Sequence, residues 1–155
     1  MELDLTKLLN LIEEMPAYCR LVAEVKRGNG VKAGILDSAK PYLIAALYQQ
    51  IGRPVLVITA QPENARKLYE QVSGWYPSGR IRLFPEPDAL PYERIASDTS
   101  TELERLQVLS AMADKEPPPP LVIASSPALM QKVAPVIDFT AVSYTHLTLP
   151  TNREV

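Results

Sequence analysis

Apolar residues fall at helical spacing as soon as the chain begins. Leu5, Leu8, Leu9 and Ile12 share a face within residues 3–14, and Met15-Pro16 stops that helix. A second amphipathic helix carries Leu21, Val22 and Val25, and Gly28-Asn29-Gly30 ends it. The apolar run Val31 to Leu36 then reads as a first strand. A turn leads into a helix from about Pro41 to Ile51, closed by Gly52-Arg53-Pro54. Val55 to Thr59 is β-branched and nearly continuous, the pattern of a strand buried on both faces. Pro62 opens a helix whose inward stripe is Ala65, Leu68, Tyr69, Val72 and Trp75, and Arg80 to Phe84 gives a third strand.

Periodicity fails from Pro85 to Thr99, a proline-rich loop of the kind that is functional or disordered inside a compact domain. Its Leu90, Tyr92 and Ile95 suggest an arm packed back on the body. Thr101 and Glu104 have the spacing of a capping box, and Leu103, Leu106, Leu109 and Met112 follow at three-residue steps. Pro117 to Pro120 form a stiff spacer before a fourth strand, Leu121 to Ala124, and Ser126-Pro127 starts a short helix. Strands alternating with helices predict an α/β domain: a parallel sheet with helices on both faces, preceded by two N-terminal helices.

Composition narrows the class without changing the picture. The 155 residues are enough for one domain with a real core, and 46% hydrophobic content is that of a soluble globular chain. No apolar run approaches a membrane span, so no membrane partner is expected. The lone Cys19 excludes an internal disulfide and fits a cytoplasmic location. A net charge of −2 argues against a strongly basic nucleic-acid surface.

Candidate chemistry concentrates in Gly34 to Pro41, reading GILDSAKP, which has the spacing of the phosphate-binding loop G-x-x-x-x-G-K-[ST]. Gly34 and Lys40 match. Ala39 replaces the second Gly, whose freedom lets backbone N–H groups curl around phosphate, and Pro41 replaces the hydroxyl that holds Mg²⁺. Proline lacks an N–H as well, so two contacts are lost together. The turn is therefore a degenerate P-loop, expected not to hydrolyse ATP, with no cofactor or metal in this segment. No His, Cys and carboxylate cluster has metal-ligand spacing, and no catalytic residue is assigned. Ser125-Ser126 reads as helix capping, since no nucleophile elbow surrounds it.

The last stretch, VSYTHLTLPTNREV, breaks the alternation. Val142 to Thr151 resembles a translated transposase sequencing adapter, GTC TCT TAT ACA CAT CTG ACG CTG CCG ACG. Residues 142–155 are accordingly read as a scar, with the natural protein expected to continue beyond about Ala141. The only histidine, His146, falls inside it.

Three stretches together resemble the N-terminal UvrB-like module of the bacterial transcription-repair coupling factor family: SAKPYLIAALYQQIGRPVLVITAQPENARKLYEQV, LFPEPDALPYERIASDTSTELERLQVL and LVIASSPALMQKV. Phe84-Pro85, Leu90-Pro91-Tyr92-Glu93 and Glu104-Arg105 supply the family's Pro-rich loop and the start of its next helix. The resemblance covers about residues 30–137. It implies a RecA/P-loop-like domain over residues 31–141 without a working nucleotide site, after an N-terminal helical segment of residues 1–30. It also implies that the full-length protein binds stalled RNA polymerase, moves on duplex DNA with ATP and Mg at a separate C-terminal motor, and recruits UvrA. The alternative is a divergent ATP-binding helicase or UvrB-type domain that tolerates Ala39 and Pro41.

Overall fold

Leu121–Ser125 is a strand in which every residue is buried, and the other strands flank it. The computed structural model describes residues 5–76, 79–87, 99–113 and 118–131. Its elements in chain order are α1 (Thr6–Leu9), a 3₁₀ turn (Asn10–Glu14), α2 (Pro16–Arg27), α3 (Lys40–Ile51), β1 (Val55–Thr59), α4 (Pro62–Trp75), β2 (Ile81–Phe84), α5 (Thr99–Ala113), β3 (Leu121–Ser125) and α6 (Ser126–Met130). The sheet order is β1-β3-β2 and both pairings are parallel, as the strand-helix alternation predicts.

Register lines up the apolar positions into rows. Val55, Leu121 and Ile81 form one row, and Val57, Ile123 and Leu83 the next on the same face. These rows share a core with Ala45, Ala46 and Tyr48 of α3, Ala65 and Val72 of α4, and Leu9, Ile12, Tyr18 and Val22 of the N-terminal helices. Full burial of a side chain such as Leu121 or Ile123 contributes about 1.5–3 kcal/mol over leaving it exposed. The opposite face carries Val122, Ala124 and Phe84, covered by Val108 and Leu109 of α5 and by Ala128 of α6.

Prolines and glycines punctuate the helices as the sequence leads one to expect. Pro16, Pro41, Pro62 and Pro127 sit in first turns, where a missing N–H costs nothing. Gly28 and Gly52 close α2 and α3 in the left-handed region, at φ 82° and 62°. Helix α3 is tied in from both sides. The Tyr42 hydroxyl donates to the Leu8 carbonyl at 2.8 Å, and its ring meets Trp75 edge-on at 5.0 Å. The Tyr48 hydroxyl donates to the Pro119 carbonyl at 2.6 Å, which fixes the proline spacer leading into β3.

Four expectations need correction. Val31 to Leu36 is not a strand: residues 29–36 have no regular structure, and Val31 and Leu36 are exposed. Lys32, Ala33 and Gly34 interrupt the run, and among the described residues no strand pairs with it. Strand β1 is not buried on both faces, because α5 lies over β2 and leaves Leu56 and Ile58 about half exposed, at 47% and 56%. In α5 the inward residues are Arg105 and Val108, with Leu109 partly buried, whereas Leu103, Leu106 and Met112 are exposed. Three-residue steps drift around a helix, so that stripe faces the core only where it crosses the 105–109 turn. The capping box at Thr101 fails because α5 has already started at Thr99. The arm residues Leu90, Tyr92 and Ile95, and the segment 142–155 with His146, lie outside the described residues.

Candidate functional site

Gly34 and Pro41 are separated by an extended exposed stretch, a single 3₁₀ turn at Asp37–Ala39, and the start of α3. A phosphate-binding loop needs a strand below it, a glycine cradle and a free lysine. None of the three is built here. Among the described residues no strand precedes the turn, Gly34 is not among the left-handed glycines, and Ala39 takes an ordinary right-handed conformation at φ −94°. Pro41 is buried in the first turn of α3, where it serves packing.

Lys40 is engaged by its own chain. Its Nζ lies 2.5 Å from the Asp37 Oδ1. The hydrogen bond from Lys40, followed by the lysine's charge, holds the Asp37 carboxyl below the usual carboxylate range. Unpaired N–H groups and the dipole at a helix N-terminus favour an anion, and Asp37 supplies one from the turn that leads into α3. Both side chains are open to solvent, so the pair is weak and screened by salt. A second anion would compete with Asp37 for Lys40, and no hydroxyl stands where Mg²⁺ would be held.

Beyond the carboxyl ends of the strands, where parallel sheets commonly bind ligands, an open cleft of about 590 Å³ is lined by Arg66, Glu86, Glu104 and Ser125. Its charged groups are of both signs. Arg105 stands behind it, 8% exposed, with its guanidinium 4.1 Å over the Phe84 ring. Nη1 donates to the Pro85 carbonyl at 2.6 Å, and both Nη1 and Nη2 reach the Ala128 carbonyl at 3.4 Å. Burial lowers the pKa of this guanidinium from its ordinary value. Arg105 thereby fastens the exit of β2 to α5 and α6, which sets where the loop after Phe84 departs. The dipeptide Glu104-Arg105 is split by the helix: Glu104 faces the cleft and solvent, and Arg105 turns inward.

Ser125 and Ser126 behave as caps and ties. The Ser125 hydroxyl accepts from the Ala128 N–H at 3.2 Å, and Ser126 donates to the Thr59 carbonyl at 3.2 Å. Cys19 is an exposed helix-face thiol whose Sγ donates to the Glu13 carbonyl at 3.1 Å. Among the described residues no group of His, Cys, Asp and Glu has the arrangement of a metal site. No helix among them is long and apolar enough to cross a membrane. Sequence reasoning missed Tyr18, which is buried with its hydroxyl unpartnered; burial, then the nearby Glu13, pushes its pKa up to about 12. Its place four residues before Val22 was the available signal.

No family model matches the chain. It is 26% identical over 126 residues to the transcription-repair-coupling factor of Myxococcus xanthus, a match covering 77% of this chain and 10% of that protein. It is 27% identical over 115 residues to UvrABC system protein B of Campylobacter fetus, covering 66% of this chain and 17% of the relative. The same protein from Kosmotoga olearia is 27% identical over 74 residues, covering 46% and 11%. The chain thus spans well under a fifth of the length of these curated relatives. The parallel α/β fold and these relatives make the chain similar to the UvrB-like N-terminal region of transcription-repair-coupling factors and to UvrABC system protein B.

Proposed function

We propose that this domain is a non-catalytic interaction module of a transcription-repair coupling factor. The coarse role is DNA repair, in the nucleotide excision pathway of its relatives. Within that role, the longer protein recognises RNA polymerase stalled at a lesion and releases it by ATP-dependent movement on duplex DNA. It then recruits UvrA. ATP and Mg belong to a motor elsewhere in that protein. The observation that carries the non-catalytic reading is the turn at 34–41, where Asp37 occupies Lys40 and Pro41 is committed to the core.

The UvrB relatives favour a second reading, a nucleotide-binding domain with an altered loop. Calorimetric titration with Mg-ATP separates the two. No saturable heat is expected up to roughly 1 mM nucleotide, the range where binding free energy falls to about −4 kcal/mol. Low-micromolar binding that disappears in Lys40→Ala would overturn the proposal and establish the second reading.

A further inference from the structure

Residues 5–28 are tied together from within. The Met15 N–H bonds the Ile12 carbonyl and the Cys19 N–H bonds the Met15 carbonyl, which joins the 3₁₀ turn to α2. The Cys19 Sγ donates to the Glu13 carbonyl across the same corner. At the far end the Gly28 N–H reaches the Val25 carbonyl and the Asn29 N–H reaches the Glu24 carbonyl. The Glu24 carboxylate takes Arg27 and the Asn29 amide, each at 2.6 Å. The C-terminal end of α2 thus satisfies its orphan groups without using the rest of the domain.

The join to that domain is looser. Residues 30–35 are exposed apart from a partly buried Ile35, and among the described residues no backbone hydrogen bond ties them to another element. Leu9, Tyr18 and Val22 are buried in the core shared with α3, and the Tyr42 hydroxyl holds the Leu8 carbonyl. Yet a cleft of about 480 Å³ runs between Tyr18 and Leu21 of α2, Val31 and Ile35, and Leu43 of α3. Packed interiors leave few voids larger than a water molecule. At the same join the Tyr18 hydroxyl is buried without a partner, a cost that separation would relieve.

We propose that residues 5–28 are a latch that opens as one unit about residues 29–36, uncovering Tyr42 and Leu43 of α3 while the sheet and the other helices stay folded. Gly28 and Gly30 flank the pivot, and small residues absorb the backbone change that a hinge needs. The sheet keeps its cover in the open state, because α4 packs on all three strands. A detached helix of 12 residues is marginal in water, so the open latch loses the hydrogen bonds of α2. Its amides therefore report the opening.

Native-state hydrogen exchange on the 155-residue chain tests it. The amides of Leu21, Ala23 and Glu24 should share one opening and be at least about tenfold less protected than those of Val122 and Ile123 in β3. Ala45 and Ala46 of α3 should keep the protection of β3. Val108→Ala, in α5 on the other face of the sheet, should lower β3 protection about tenfold and leave the α2 amides within about twofold of theirs. Val22→Ala should lower the three α2 amides together, about tenfold. Tyr18→Phe should raise them severalfold by removing the unpaired hydroxyl. Equal protection of α2 and β3, or an α2 response in step with β3 in Val108→Ala, makes the segment part of the global fold and overturns the proposal. Exchange of Ala45 and Ala46 at the α2 rate would mean that α3 leaves as well, and overturns it too. Fraying, in which Leu21, Ala23 and Glu24 respond separately to Val22→Ala, overturns it equally.

Discussion

The sheet has two faces, and they are finished to different degrees. On the first, rows from all three strands meet α3, α4 and the N-terminal helices, and the core runs without a break from Leu9 to Ile123. On the second, α5 and α6 cover Phe84, Val122 and Ala124, while Leu56 and Ile58 of β1 remain uncovered among the described residues. Composition does not separate the faces, since β1 is as apolar as β3. The difference lies in what crosses above each strand. Arg105 illustrates it, because the second face is held near β2 by a buried guanidinium fastened to two carbonyls, where the buried core of the first face is built from apolar side chains and tyrosines.

Substitutions rank the two faces directly. Ile123→Ala, at the buried centre of the first face, should cost about 2–5 kcal/mol in urea unfolding, a large part of a typical domain's stability. A cost below about 1 kcal/mol would show that the first face is as loosely held as the second. Arg105→Met should cost about 1–3 kcal/mol, because it leaves the Pro85 and Ala128 carbonyls without their charged donor. Arg105→Lys should recover little of this, since a single ammonium lacks the planar fork.

Tyr18 is the weak point of the better-packed side. Its folded pKa of about 12 lies above the ordinary 10.0, so the folded state keeps a proton that the unfolded state has released. That contribution is complete below pH 10 and is lost as pH rises from 10 toward 12. Tyr18→Phe should therefore flatten the alkaline loss of stability in thermal melts over that window. Near neutral pH it should stay within about 1 kcal/mol of the unsubstituted chain, on the stabilising side, because it removes an unpartnered buried hydroxyl. The smallest effect is expected at Ile58→Ala on the open face, about 0.5 kcal/mol or less in dilute solution. A cost near that of Ile123→Ala would mean that β1 is covered after all.

How much of this was legible in the sequence depends on the range of the interaction concerned. Local signals held well: prolines opened α2, α3, α4 and α6, glycines closed α2 and α3, and the β-branched runs at 55–59 and 121–124 became strands. The run at 31–36 misled because apolar residues permit a strand but a neighbouring strand must exist to make one. Leu56 and Ile58 misled for the same reason, since a strand's sequence cannot say which helix will lie across it. At the turn, the sequence identified Ala39 and Pro41 as the two departures from the phosphate-binding pattern. The pairing of Asp37 with Lys40 was not read from the sequence, although a spacing of three residues is within reach in a helical turn.

That pairing bears on reversibility. Introducing the glycine with Ala39→Gly and the hydroxyl with Pro41→Ser would complete the motif on paper, yet the lysine would still be answered by Asp37 and, among the described residues, no strand would lie beneath the loop. Removing Pro41 would also take a buried ring out of the first turn of α3. Ala39→Gly alone would therefore leave Lys40 paired with Asp37, and Pro41→Ser alone would lose packing, before any phosphate contact is gained.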